Sequence, residues 1–257
     1  MCNFTGSKLN MEKVWVNKPA VNSETVNRLR DALKINEALA TLLVQRGITS
    51  YEEAKAFFRP RLEELHDPFL MKDMDKAVER IDQAVNKGEK ILIYGDYDVD
   101  GTTAVALVYT FLKTFYDKLG FYIPDRYSEG YGVSYKAIDF AADTGFSLII
   151  ALDCGIKAVE KIKYAQSKGI DFIIGDHHRP GDELPPAVAV LDPKRPDCSY
   201  PFEELSGCGV GFKLIQAYSL YKNLPSDYLK KYLDLVVVSI AADRKSTRLN
   251  SSHESPS

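Results

Sequence analysis

Ile91-Leu92-Ile93-Tyr94-Gly95-Asp96-Tyr97-Asp98-Val99-Asp100-Gly101-Thr102-Thr103-Ala104 is the stretch that decides the fold. Its apolar run to Tyr94, stopped by Gly95, predicts a buried strand. From Thr102 onward, Val105, Leu107, Val108, Phe111, Leu112 and Phe115 predict an apolar helix. Three aspartates alternate between the two elements, and in an extended loop alternate carboxylates point the same way. With no cation among them they would repel one another. Hard divalent cations suit such a set of oxygens. Taken alone, the stretch would also serve as an acidic turn with helix N-caps.

Working outward, the rhythm of strand, loop and helix repeats from Lys90. Strands are expected at 91–94, 120–123, 148–152, 172–174 and 188–191, with helices at 102–116, 134–143 and 158–168. The strand residues are apolar without alternation, as a sheet covered on both faces requires. The expected fold is therefore α/β, a doubly wound and mainly parallel sheet preceded by an N-terminal helical segment. In that segment, Ser23 begins a run with Val26, Leu29, Leu33 and Ile35, and a second helix through Leu39, Leu42, Leu43 and Val44 stops at Gly47. Ser50-Tyr51-Glu52-Glu53 has capping-box spacing and opens a third, ended near Pro60. A fourth is expected over 73–86, stopped by Gly88. Beyond the last strand a proline-rich loop leads to helices at 209–221 and 227–242. The expected divisions are 1–88 for the helical segment, 89–243 for the α/β domain and 244–257 for a polar, aperiodic tail. That tail resembles translated adapter sequence, and it is expected to be non-native and disordered.

Composition narrows the function. The chain has 257 residues, 45% hydrophobic and 27% charged, with a net charge of −3. That balance argues against a broadly basic nucleic-acid scaffold, so any such contact must come from local patches. No run approaches the ~18 apolar residues that span a bilayer, and no basic region followed by an apolar core marks a signal peptide. Four irregularly spaced cysteines suggest neither a disulfide framework nor a zinc site. Cys154 and Cys208 are expected in the core, and the protein in a reducing cytoplasm.

Other strand ends carry polar residues too: Pro124-Asp125-Arg126, Asp153-Cys154-Gly155 and Gly175-Asp176-His177-His178-Arg179-Pro180, with Asp243 closing the last helix. Parallel strands bring their tips to one sheet edge. Carboxylates with one or two imidazoles suit manganese or magnesium better than zinc. Two such ions ~4 Å apart can share a carboxylate and stabilise a phosphoryl transition state. The central strand is best placed to supply that bridge, hence Asp153. The run Gly207-Cys208-Gly209-Val210-Gly211 opens a helix whose amides, Gly209 among them, are expected to hold a phosphate with Lys213 nearby. A tight packing turn is the alternative for that run.

These motifs, in this order, resemble those of the DHH phosphoesterases. Arg126-Tyr127-Ser128-Glu129-Gly130-Tyr131-Gly132, His177-His178-Arg179-Pro180-Gly181, Asp192-Pro193-Lys194, Gly207 to Lys213 and Asp67-Pro68-Phe69-Leu70-Met71 are similar to the RecJ subgroup of single-strand DNA exonucleases. The likeness runs from about Trp15 to Asp243, after which the family's continuing apolar segment and further domains are replaced by Arg244 onward. The resemblance implies metal ligation by Asp98, Asp100, Asp153, His177 and Asp243, with Asp96 close enough to join, and two Mn²⁺ or Mg²⁺ ions. It implies that His178 touches the scissile phosphate or protonates the leaving oxygen, and that Arg126 grips substrate phosphate. The implied activity is 5′→3′ hydrolysis of single-stranded DNA to 5′-mononucleotides in repair and recombination. A monomer is implied, with single-strand-binding protein and a helicase as partners. Two alternatives stay open: a DHH phosphodiesterase of short oligonucleotides or cyclic dinucleotides, and a non-catalytic Cdc45-like replication scaffold.

Overall fold

The computed structural model describes Val16 and residues 18–243. The expectations for the first residues and for the tail at 244–257 lie outside the described residues. The chain forms two compact units that divide between Leu65 and His66.

The first unit holds helices α1 (Ser23–Leu33), α2 (Glu37–Val44) and α3 (Tyr51–Phe58). Each begins on a side chain that accepts from a free backbone N–H: Asn22, Asn36 and Ser50. Ser50 and Glu53 complete the expected capping box, Oγ taking the Glu53 amide at 3.2 Å while Glu53 takes the Ser50 amide at 3.1 Å. Leu29, Leu43, Ile48 and Ala54 make a small core of their own.

The second unit carries α4 (Met74–Lys87), β1 (Lys90–Gly95), α5 (Val99–Lys113), β2 (Leu119–Tyr122), α6 (Tyr135–Thr144), β3 (Phe146–Leu152), α7 (Val159–Ser167), β4 (Asp171–Gly175), β5 (Ala189–Leu191), α8 (Gly207–Tyr221) and α9 (Leu233–Ala242). All five strands are parallel, in the order β2-β1-β3-β4-β5. Successive strand residues feed opposite faces although all are apolar. Ile91, Ile93, Ile150 and Ile173 pack under α4, α5 and α8. Leu92, Ile149, Phe172 and Ile174 pack under α6 and α7. This is the doubly wound arrangement expected, and α4 belongs to it: Met74, Ala77, Val78, Ile81 and Ala84 are buried against the sheet. Cys154 and Cys208 are buried, as expected. Among the described residues, no helix is long and apolar enough to cross a membrane.

Two elements depart from expectation. The helix expected from Thr102 starts at Val99, because Asp98 caps it by accepting the Gly101 amide at 2.9 Å. Asp100 is thereby wound into the first turn, and the three aspartates do not alternate along an extended loop. The helix expected over 227–242 is a 3-10 segment, Ser226–Tyr232, followed by α9. In a 3-10 turn residues three apart eclipse, which lets Leu229 and Tyr232 both enter the core, Tyr232 against Phe111.

Candidate metal centre

Going from β1 to β2 the chain moves to one side, and it then returns to place β3 on the other side of β1. The crevice beyond the strand ends at such a switch point is where open α/β sheets take their ligands. Register sharpens the location. Gly95 pairs with Leu152, Leu152 with Gly175 and Gly175 with Leu191. The next residue on each strand is an aspartate, so Asp96, Asp153, Asp176 and Asp192 form one row across the sheet edge, each at most 1% exposed. The Asp153 amide donates to Gly175 O at 2.8 Å and the Asp176 amide to Leu191 O at 2.9 Å, extending the sheet bonding into that row.

Four buried carboxyls side by side cannot all ionise freely, and their environments separate them. Asp153 is pushed up to about 10, first by burial and then by the charges of Asp100 and Asp98. Asp96 rises to about 6 and Asp192 to about 7, burial leading in both. The Tyr97 and Gly132 amides partly offset the rise of Asp96 without reaching good hydrogen-bond geometry. Asp176 goes the other way. Burial opposes its charge, but His178 and the amides of Ile156 and His178 hold it below the usual carboxylate range. Its Oδ1 accepts from His178 Nδ1 at 2.8 Å and its Oδ2 from the Ile156 amide at 3.0 Å.

His177 stands at the middle of the constellation. Its Nε2 is 3.1 Å from Asp153 Oδ1 and 3.6 Å from Asp100 Oδ2, and its Nδ1 is 3.7 Å from Asp243 Oδ2. Two groups of ligand atoms result, each within 4.8 Å: Asp153, His177 and His178, and Asp100, His177 and Asp243. Asp153 Oδ1 is buried, and apart from the His177 imidazole beside it no hydrogen bond reaches it, so it is an oxygen whose lone pairs a cation would satisfy. Asp153 also has φ +59, a strained backbone for a non-glycine residue, as functional positions tolerate. A Cβ on Gly207 would lie 2.5 Å from the Asp153 Cβ, so only glycine lets α8 approach this carboxylate.

Other expected site residues fall differently. Asp98 uses one oxygen as the α5 cap and, like Asp96, belongs to neither ligand group, though its charge is felt at Asp153. The shared member of the two groups is His177 rather than Asp153. The amides at the start of α8 are already engaged: those of Gly207 and Cys208 each donate to Asp100 at 2.7 Å, and that of Gly209 donates to Ser206 Oγ at 3.1 Å. A buried carboxylate takes the helix N-terminus that was expected to hold phosphate. Lys213 is turned into the core, donating to His66 O at 2.9 Å and Gln216 Oε1 at 2.8 Å, and burial lowers it to about 8. Neither Gly209 nor Lys213 is presented to a phosphate. Arg126 is exposed at the tip following β2, with its guanidinium 5.3 Å over the Tyr97 ring.

Ser239, Tyr131 and Asp192 were not read from the sequence as site residues. Ser239 donates to Asp100 at 2.7 Å and shares a hydrogen bond with Ser206. The Tyr131 hydroxyl lies 3.1 Å from His178 Nε2. Asp192 had a usable signal, an aspartate directly after a strand, whereas nothing in the sequence pairs Ser239 with Asp100 across 139 positions.

The model of the DHH family, N-terminal domain, matches residues 90–240, more than half of the chain. The chain belongs to the DHH family. Among DHH relatives, it is 44% identical over 222 residues to the single-stranded-DNA-specific exonuclease RecJ of Bacillus subtilis, covering 86% of this chain and 28% of that protein. It is 33% identical over 216 residues to the Escherichia coli protein of the same name, covering 80% of this chain and 37% of that one. The chain thus spans about a third of the length of the curated relatives it matches. A crystal structure of exonuclease RecJ bound to manganese superposes with TM-score 0.61 at 31% identity, over 67% of this chain and 43% of that chain. RecJ of Thermus thermophilus in complex with Mn²⁺ gives 0.71 at 25% identity, over 87% and 31%.

Proposed function

We propose that this chain is the metal-binding lobe of a RecJ-like exonuclease that hydrolyses single-stranded DNA from the 5′ end, releasing 5′-mononucleotides for repair and recombination. The observation that carries the reading is the pair of ligand groups meeting at His177 on the sheet's switch point. The names of the relatives supply the substrate class. Two Mn²⁺ or Mg²⁺ ions would be held by Asp100, Asp153, His177 and Asp243, with Asp98 and Asp96 at the margin. Hard oxygens with one imidazole fit those ions, as does the buried Asp153 oxygen that no hydrogen bond reaches and that has His177 Nε2 beside it. When bound, such ions supply Lewis acidity that offsets charge building on the phosphoryl group.

The protein's own part falls to fixed side chains. Asp176 engages His178 Nδ1, which sets the ring's orientation and leaves Nε2 to hold a proton for the leaving oxygen. Arg126, rested on Tyr97, is the candidate grip on a substrate phosphate. Arg179 and Lys194 line a cavity of about 210 Å³ with His177, His178 and Asp243, and extend that grip to the strand. The catalytic domain proper is proposed as 89–243. We place the protein in the cytoplasm as a monomer, working with single-strand-binding protein and a helicase.

The test is hydrolysis of a labelled single strand, its duplex and a dinucleotide by the chain with Mn²⁺, beside Asp153→Ala. Mononucleotides appearing only from the long single strand, and only with Asp153 intact, are expected. Preference for the dinucleotide would replace this reading with a short-oligonucleotide phosphodiesterase.

A further inference from the structure

α9 is apolar along most of its length, yet Ser239 is its one buried residue, while Val237, Val238 and Ile240 are exposed. A hydroxyl buried in preference to three aliphatic side chains needs a hydrogen-bond partner. Helical serines often turn back to the carbonyl four residues earlier. Ser239 reaches another helix instead: its Oγ donates to Oδ1 of Asp100, in the first turn of α5, at 2.7 Å.

A hydroxyl has one proton, and Ser239 spends it on Asp100. The 2.5 Å bond between Ser239 and Ser206 therefore runs the other way, with Ser206 donating. Ser206 in turn accepts from the Gly209 amide at 3.1 Å. The bonds share one direction, from the start of α8 through Ser206 and Ser239 to Asp100. Each donor in such a chain polarises the next. The Ser239 carbonyl also accepts from the Asp243 amide at 2.8 Å. One residue thus joins Asp100 and Asp243, the two carboxylates of a single ligand group.

A carboxylate offers about four lone-pair sites, two on each oxygen. On Asp100 the Cys208 amide and Ser239 take both sites of Oδ1, and the Gly207 amide takes one of Oδ2. One site is left, on the oxygen that lies 3.6 Å from His177 Nε2.

We propose that Ser239, supported by Ser206, is a positioning residue that restricts Asp100 to one-oxygen metal ligation and so favours Mn²⁺ or Mg²⁺ over Ca²⁺. The proposal rests on Asp100 being a metal ligand, as in the function proposed above. A small cation in octahedral geometry needs only one oxygen from each carboxylate. Ca²⁺ gathers about six to eight oxygens at longer range, and often clasps a carboxylate by both of them. With Oδ1 occupied, Asp100 cannot be clasped. Sites of this kind choose their ion by geometry more than by raw affinity.

Calorimetric titration of the full chain with Mn²⁺ and with Ca²⁺ tests this in the parent, Ser239→Ala, Ser206→Ala and Asp100→Ala. Ser239→Ala is expected to weaken Mn²⁺ by about 10- to 100-fold, as loss of a supporting partner typically does. Ca²⁺ should keep or improve its affinity, so the preference for Mn²⁺ shrinks by at least about tenfold. Ser206→Ala should shift the preference in the same direction by less, because Ser239 keeps its own bond to Asp100. Melting of each variant without metal scores its folding, and a mere packing defect would weaken both ions alike. An unchanged preference in Ser239→Ala overturns the proposal, as does an equal loss of both ions. A larger shift in Ser206→Ala than in Ser239→Ala puts the acting hydroxyl at Ser206 and overturns it too. If Asp100→Ala binds Mn²⁺ as the parent does, the ligand assignment falls and takes the proposal with it. If Asp100→Ala loses Mn²⁺ while Ser239→Ala keeps the parent's preference, the metal centre stands and only the role of Ser239 falls.

Discussion

Asp153 keeps its proton far beyond the point at which an ordinary carboxyl loses it, and the sign of the consequence is fixed. The unfolded chain releases this proton near pH ~4, whereas the folded chain holds it to about 10. Over that interval the native state binds more protons than the unfolded state, so stability falls as pH rises. Without metal, the melting temperature should decline steadily from pH 5 to pH 9. Asp153→Asn should flatten the decline and raise the value at pH 8, while losing Mn²⁺ affinity. A flat profile in the parent would mean that Asp153 is ionised without a cation. Asp176 makes a second residue-scale case, because it holds His178 by one carboxylate oxygen. Asp176→Asn should cost about 10- to 100-fold in turnover, as loss of a supporting partner typically does. Substrate affinity should move little, and single-turnover kinetics separates the two.

At the scale of elements, the site depends on how near α8 comes to β3. Gly207→Ala would drive a methyl against Asp153 Cβ, 2.5 Å away, with Oδ1 at 2.6 Å. Either α8 retreats, releasing its two amides from Asp100, or Asp153 turns. Overpacking of this kind costs ~1–3 kcal/mol, and Mn²⁺ affinity should fall with it; denaturant melts and metal titration read the two together. In the first unit, Ser50→Ala removes one arm of the α3 capping box. A loss of ~1 kcal/mol is expected, confined to that unit and visible as faster amide exchange in α3 without change in metal binding.

For the molecule as a whole, charge limits the grip on DNA that the proposed nuclease reading requires. A net charge of −3 leaves no broad basic track, and Lys213 is withdrawn into the core. Three phosphate contacts, from Arg126, Arg179 and Lys194, would give a slope of about −2 in log affinity against log salt for a single strand. Fluorescence anisotropy across salt concentrations measures it. A slope steeper than about −4 would require cationic contacts beyond these three.

Much was legible before the structure because it rests on local chemistry. Apolar strand runs with caps and glycine stops predicted all five strands and the flanking helices, because burial on both faces leaves a compositional trace. The strand-end positions of Asp96, Asp153 and Asp176 followed from parallel topology alone. What required the tertiary structure was where each polar group spends its hydrogen bonds. Sequence shows a glycine-rich helix start but cannot show that Asp100 already occupies its amides. It shows Lys213 near that start but not that helical phase turns it inward. Nor can it give the alignment of Asp96, Asp153, Asp176 and Asp192 into one row, because relative strand register is set by packing between distant segments. Residue type and order determined the kinds of ligand present; three-dimensional register determined which of them share a cation-sized space.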